Sequence, residues 1–390
     1  MRVLYHSAPI NRESFETVQP IRTIDSVPFW NVALALMVTS TLTIWIRDPL
    51  AEWSFEFATL ILAAAACLVR PLPHVNIHGA AIAVIAFWGL AQLSLGSTVY
   101  RYATWTASTH YAALAALTLL APGGRAAKKC LRIFAWFGFL VAVISVLAYY
   151  TSPGKVLWIF PNPYPNAWGP FLNRDSFAQF LELALPVALW LAFTRDPVYA
   201  WMAAAMFAAG IASASRAGAA LLLIESVAIL LCARPPRRIL ARFLFAAIAL
   251  VAIAGAGQLA SRLRDPDPLR YRREMAESAL AMIRERPWTG FGLGTFAAVY
   301  PRFARFDAGL TVDHAHNDWL EWTSEGGVGF AAAWVVLAIV TLRRARNRLW
   351  TIGTLAVMVH AAVDYPFARS GISGWIFFLI GMREVGASPH

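Results

Sequence analysis

The sequence predicts an all-α polytopic membrane protein of about twelve transmembrane helices, with a large periplasmic loop between spans nine and ten. Three observations predict it. Of 390 residues, 59% are hydrophobic and only 14% charged, against about 25% charged in soluble domains. Mean hydropathy is +0.56. Apolar runs recur that approach the roughly 20 residues needed to cross a bilayer.

The spans are expected near 29–47, 54–70, 78–96, 100–120, 131–150, 176–194, 198–214, 217–233, 239–258, 326–342, 348–364 and 371–383. Residues 1–28 form a polar tail without the apolar stretch of a cleavable signal. Orientation follows from Lys and Arg in short loops. One set of alternate loops carries Arg70; Arg125, Lys128, Lys129 and Arg132; Arg195; Arg234, Arg237, Arg238 and Arg242; and Arg343, Arg344, Arg346 and Arg348. The other set is poor in basic residues where it is short. The basic set is therefore expected on the cytoplasmic side, with both termini, as an even span count requires. Cys67, Cys130 and Cys232 fall on that side, where no disulfide is expected. The net charge of +11 is split among many loops, which points to membrane lipids and away from nucleic acid.

Four segments result. Residues 1–28 are the cytoplasmic tail, and 29–258 hold spans one to nine. Residues 259–325 form the large outward loop, and 326–390 hold the last three spans and a short tail. A second outward segment, 151–175, contains Pro161, Pro163, Pro165 and Pro170, which preclude a regular helix there. In the large loop, Met275, Ala279, Met282 and Ile283 recur at helical spacing, with Arg273, Glu277 and Arg284 opposite. That pattern predicts an amphipathic helix able to lie along the membrane surface. Pro287 ends it, and Gly290, Gly292 and Gly294 follow as a tight turn rather than a dinucleotide fingerprint.

The candidate chemistry collects on the outward side. The large loop carries nine arginines and no lysine, and arginine's planar fork suits phosphate oxygens. Arg174, after Asn173, and Arg216, after Ser215, stand at the mouths of spans on the same side. Each also reads as a snorkelling anchor. The string His314-Ala315-His316-Asn317-Asp318 ends the loop. Trp319 stands where a third metal-ligating histidine would be expected, so a histidine acting singly as a base near neutrality is the better reading. Glu325 and Asp364 lie close to the same mouths.

Arg272, Pro287, Gly290, Gly292, His316, Asn317, Leu320, Glu325, Gly326 and Gly329 together resemble the O-antigen ligase and polymerase superfamily of bacterial envelope enzymes. Asn173-Arg174-Asp175, Ser215-Arg216 and Asp364-Tyr365-Pro366 fit the same pattern. The resemblance implies a glycosyltransferase of the inner membrane with its site facing the periplasm, needing neither cofactor nor metal. It implies an undecaprenyl pyrophosphate-linked glycan as donor, and as acceptor lipid A-core in a ligase or another lipid-linked glycan in a polymerase. It implies that Arg174, Arg216 and Arg272 hold the pyrophosphate and that His316 receives or positions the acceptor hydroxyl. Asn173, His314, Asn317, Glu325 and Asp364 are expected to bind substrate around them. Ala276 stands where the family commonly has an aromatic. A transporter or flippase of lipid-linked glycans is the competing class, but the polar groups gather at one side and no internal repeat is visible.

Overall fold

The computed structural model describes residues 29–69, 77–162, 167–255, 257–264, 270–305, 309 and 311–383. The tail 1–28, Arg70, Pro163, Pro165, the stretch 265–268 and residues 384–390 lie outside the described residues. The helices in chain order are α1 (Phe29–Leu42), α2 (Pro49–Val69), α3 (Ile77–Ser94), α4 (Arg101–Leu120), α5 (Gly124–Thr151), α6 (Arg174–Thr194), α7 (Val198–Ala212), α8 (Arg216–Ala233), α9 (Arg237–Ala254), α10 (Gly257–Leu263), α11 (Arg270–Glu285), α12 (Phe296–Val299), α13 (Asp318–Ala345), α14 (Ile352–His360) and α15 (Ser370–Gly381). A two-residue ladder pairs Lys155–Val156 with Phe160–Pro161, so the proline-rich segment begins as a small hairpin.

Each of the twelve expected spans coincides with a helix, but the helices differ in what they can cross. By length and composition α2, α3, α5, α6, α8 and α13 can cross a membrane, and α9 with α10 makes a seventh if that bent pair is one span. The helices α1, α7 and α15 and the segment Leu349–His360 are apolar but shorter. In α4 the first half carries Arg101, Thr104, Thr106, Thr109 and His110, which lowers its hydropathy. His110 is paired: its Nδ1 lies 2.9 Å from Glu56 of α2, and its other ring nitrogen meets the Phe367 carbonyl. A second buried pair joins Glu182 of α6 to His360 of α14 at 2.7 Å. Ionisable groups at membrane depth are held by such partners.

The central element is α6, with 83% of its spanning window buried. It packs on α5, α7, α8, α14 and α15. Pro186 removes the backbone N–H that would reach the Glu182 carbonyl. Gly353 fills the space beside that carbonyl, where a Cβ would stand 2.1 Å from the oxygen.

A short helical segment capped by Asn317, whose side chain accepts the Leu320 N–H, precedes the apolar run, and Gly327 (φ 74°) stands at the kink between that segment and the long apolar helix that follows. One expectation about the large loop is corrected. The apolar face of α11 does not lie open to a membrane surface. Ala279 and Met282 are buried against Phe291, Phe296, Val299, Tyr300 and Ala315, with Met275 packed alongside, in a second small core formed by the loop itself. Polar contacts close this cap: Arg305 pairs with Glu277 at 2.6 Å, and Tyr300 donates to Glu274.

Candidate active site

The expected residues stand at helix starts. The Asn173 side chain accepts the Ser176 N–H at 2.7 Å, so α6 opens with Arg174 and Asp175. Ser215 accepts the Gly218 N–H at 3.1 Å, so α8 opens with Arg216. Asn317 caps α13 in the same way. Both asparagines spend their side-chain oxygen on the cap, which leaves the amide NH₂ of each as its donor side. The residues just before two of these caps, Ala214 (φ 59°) and His316 (φ 50°), adopt the left-handed region. Side chains other than glycine enter it at a cost, and such strain clusters at functional sites.

Asp175 gathers the arginine side. Ser215 Oγ donates to its Oδ1 at 2.6 Å, and Arg272 of α11 donates to its Oδ2 at 3.2 Å. Arg262 donates to the Ala214 carbonyl at 2.6 Å, and Arg216 donates to the Arg262 carbonyl. Arg262 lies within the electrostatic reach of Arg174, Arg216 and Arg272, and of Asp175 with the opposite sign. Among the described residues these guanidiniums outnumber the carboxylates, which suits a multiply charged anion.

Asp364 gathers the histidine side. It follows α14 and is only 2% exposed. Its Oδ1 lies 3.2 Å from His316 Nδ1, and its Oδ2 accepts from Gln179 of α6 at 2.8 Å. Burial alone would raise its pKa. The His316 hydrogen bond and nearby cationic groups, Arg272 among them, outweigh burial and hold the carboxyl below its usual range. A carboxylate on Nδ1 fixes the ring and leaves Nε2 as the basic nitrogen. The two halves of the site meet through α6, because Gln179 lies one turn beyond Asp175, on the same face. His314 is differently held: its Nδ1 lies 2.8 Å from Glu321.

Glu325 is bound to the glycine turn. One carboxylate oxygen accepts the Gly294 N–H and the other the Phe296 N–H, both at 2.8 Å. It is 4% exposed, and this geometry gives it the task of holding the glycine turn. The turn needs glycine on two counts: Gly290 has φ 62°, and a Cβ there would lie 2.2 Å from the Glu325 carbonyl.

Sequence reasoning missed several residues here. Gln179 carries no signal of its own. Arg47 and Arg369, with Asn173, Ser176 and Tyr365, line a cavity of about 220 Å³ beside the site. Arg47 ends the first expected span and Arg369 directly precedes the last helix, both on the expected outward side, so the criterion that found Arg174 applies to them as well. Among the described residues, no three His, Cys, Asp or Glu side chains are grouped to hold a metal.

No curated protein matches this chain. Residues 201–328 match the family model for O-antigen ligase. The matched segment contains Arg216, Arg262, Arg272, His316, Asn317 and Glu325 and ends at Val328, whereas Asn173, Arg174 and Asp364 lie outside it. This match supports the O-antigen ligase superfamily for the chain, the superfamily its sequence resembles, whose members are glycan-processing membrane enzymes.

Proposed function

We propose that the protein transfers a glycan from undecaprenyl pyrophosphate to an acceptor hydroxyl at the periplasmic face of the inner membrane, as an O-antigen ligase acting on lipid A-core. The observation that carries this reading is the joining of the arginine cluster to the His316–Asp364 pair through one turn of α6. In the proposed step the acceptor oxygen bonds to the anomeric carbon of the donor sugar. The bond from that carbon to the pyrophosphate oxygen breaks, and its electron pair leaves with the pyrophosphate. Arg174, Arg216 and Arg272 neutralise the charge that develops there. The acceptor's proton passes to His316 Nε2, while Asp364 keeps the ring oriented. A site at the membrane boundary suits a donor whose tail stays in lipid and whose glycan is in water.

The same chemistry serves a polymerase if the acceptor is a second lipid-linked glycan. The experiment is a transfer assay with purified protein, lipid-linked donor, and either lipid A-core or a second lipid-linked unit. Product on lipid A-core alone supports the ligase, and product only on the lipid-linked acceptor makes it a polymerase. Movement of the donor across proteoliposomes without any transfer would replace both with a flippase.

A further inference from the structure

One sizeable cavity shares no lining residue with the candidate active site. It has a volume of about 620 Å³, within the roughly 300–1,000 Å³ of ligand pockets. Both α2 and α3 pack on α4, and residues of all three helices line the cavity, together with the ends of α13 and α15. Its depth is apolar, with Ile82 and Ala116 among its walls, whereas one end is cationic, lined by His78, Arg344, Arg348 and Arg383. His316 and Asn317 precede the start of α13 and Arg344 stands in its last turn. The two sites therefore stand at opposite ends of a segment that is kinked at Gly327.

Three features of the cationic end call for an anion. Arg344 has no carboxylate partner among the described residues. The charges of Arg344 and Arg348 both reach His78, so two guanidiniums lie close to one imidazole. His78 is 7% exposed, and its Nε2 is buried without a hydrogen-bond partner among the described residues. An orphaned buried ring nitrogen is costly.

We propose that this cavity binds a phospholipid, with the phosphate held by Arg344, Arg348 and His78 and an acyl chain along the apolar wall. A free anion would use only the rim. A neutral apolar molecule would leave the arginines and His78 as they are. A phosphate on a hydrocarbon tail matches both ends, and basic pockets between membrane helices hold such headgroups. Phe87, one of the lining residues, is 61% exposed, which suits entry of a lipid sideways from the bilayer. Neither orientation of the bundle alters this chemistry.

The test uses the full chain purified in detergent and titrated with phosphatidylglycerol, with diacylglycerol of the same tails, or with inorganic phosphate. Bound lipid is counted by native mass spectrometry, and thermal stability is read alongside. The expected result is one retained phosphatidylglycerol that raises the melting temperature, with no comparable effect of the other two. Arg344→Gln is expected to weaken retention about tenfold or more. Ala83→Trp, a partly lipid-facing position in the cavity wall, is expected to abolish retention while leaving the arginines in place. Equal retention by both variants and the unaltered chain would overturn the proposal, as would equal protection by phosphate alone or by diacylglycerol. If Arg344→Gln does not fold, Ala83→Trp decides. None of these readouts requires glycan transfer, so failure here leaves the catalytic reading standing, and the reverse also holds.

Discussion

Tyr365 touches both histidines of the loop in different ways. It stacks on His314 with ring centroids 4.4 Å apart and an interplanar angle of 17°, and it meets His316 edge-on at 4.8 Å. His314 is thus held between Tyr365 and Glu321, whereas His316 turns its Nδ1 to Asp364. The two rings are neighbours in sequence but not equivalent. His316→Ala is expected to lower transfer by on the order of 10²–10⁴-fold, the usual contribution of a positioned base, with donor binding retained. His314→Ala is expected to lower it far less. Measuring donor binding and transfer on both variants checks this, and a dead His314 variant beside an active His316 variant would reverse the assignment.

Asp364→Asn is expected to leave the fold intact and cut transfer by a comparable factor, because the imidazole loses the group that fixes its tautomer. The pH dependence has a definite sign. The Asp364 carboxyl is held below its usual range, so the stabilisation it confers is complete above the unfolded carboxylate value of about 3.9. It disappears as pH falls through the lower folded value. Thermal melts from pH 3 to 6 should show an acid-side loss that is smaller in Asp364→Asn than in the unaltered chain.

Arg272→Lys and Arg216→Lys keep the charge and lose the planar fork. Each is expected to weaken donor binding by about 1.5–3 kcal/mol, or on the order of 10- to 150-fold. Ser215→Ala removes both the cap of α8 and the bond to Asp175. It is expected to cost about 0.5–2 kcal/mol of stability. Direct titration with the lipid-linked donor and thermal unfolding separate the two effects.

Glu325→Gln replaces an acceptor oxygen with a donor beside a backbone N–H. It is expected to cost about 1–3 kcal/mol for the partner left unsatisfied. Gly290→Ala forces a Cβ to within 2.2 Å of the Glu325 carbonyl and is expected to be the more damaging of the two. Thermal unfolding ranks them. If Glu325→Gln instead melts like the unaltered chain but binds donor poorly, Glu325 is a ligand rather than a brace.

Chelation with EDTA is expected to leave transfer intact, since the proposed step asks nothing of a metal. Loss of activity that one specific divalent metal restores would count against it.

Much of the fold was legible because hydropathy and proline act locally. Each expected span meets a helix, and Pro287 follows closely on α11, which ends at Glu285. The break at Gly327 falls where the apolar run begins, whereas the capped segment that starts after Asn317 was not legible, because it is polar and its cap shows only in the fold. The burial of α11 was misread because an amphipathic face looks the same whether lipid or Phe291 and Phe296 cover it. The arginines and His316 were visible as costly groups near lipid. Gln179 was not visible, nor was the hub role of Asp175, because both depend on which neighbours the fold delivers to one turn of α6.

The capped starts of α6, α8 and α13 carry one more consequence. Each helix adds a macrodipole whose positive pole, worth roughly half an elementary charge, lies at its first turn. Those first turns begin at Arg174, at Arg216 and just after His316. Part of the field that attracts an anion is therefore carried by peptide groups, which no side-chain replacement removes. Single arginine variants should keep measurable donor affinity, and what persists should respond less to salt than what is lost, because peptide dipoles set in the fold are less exposed to ions than a guanidinium at a membrane mouth.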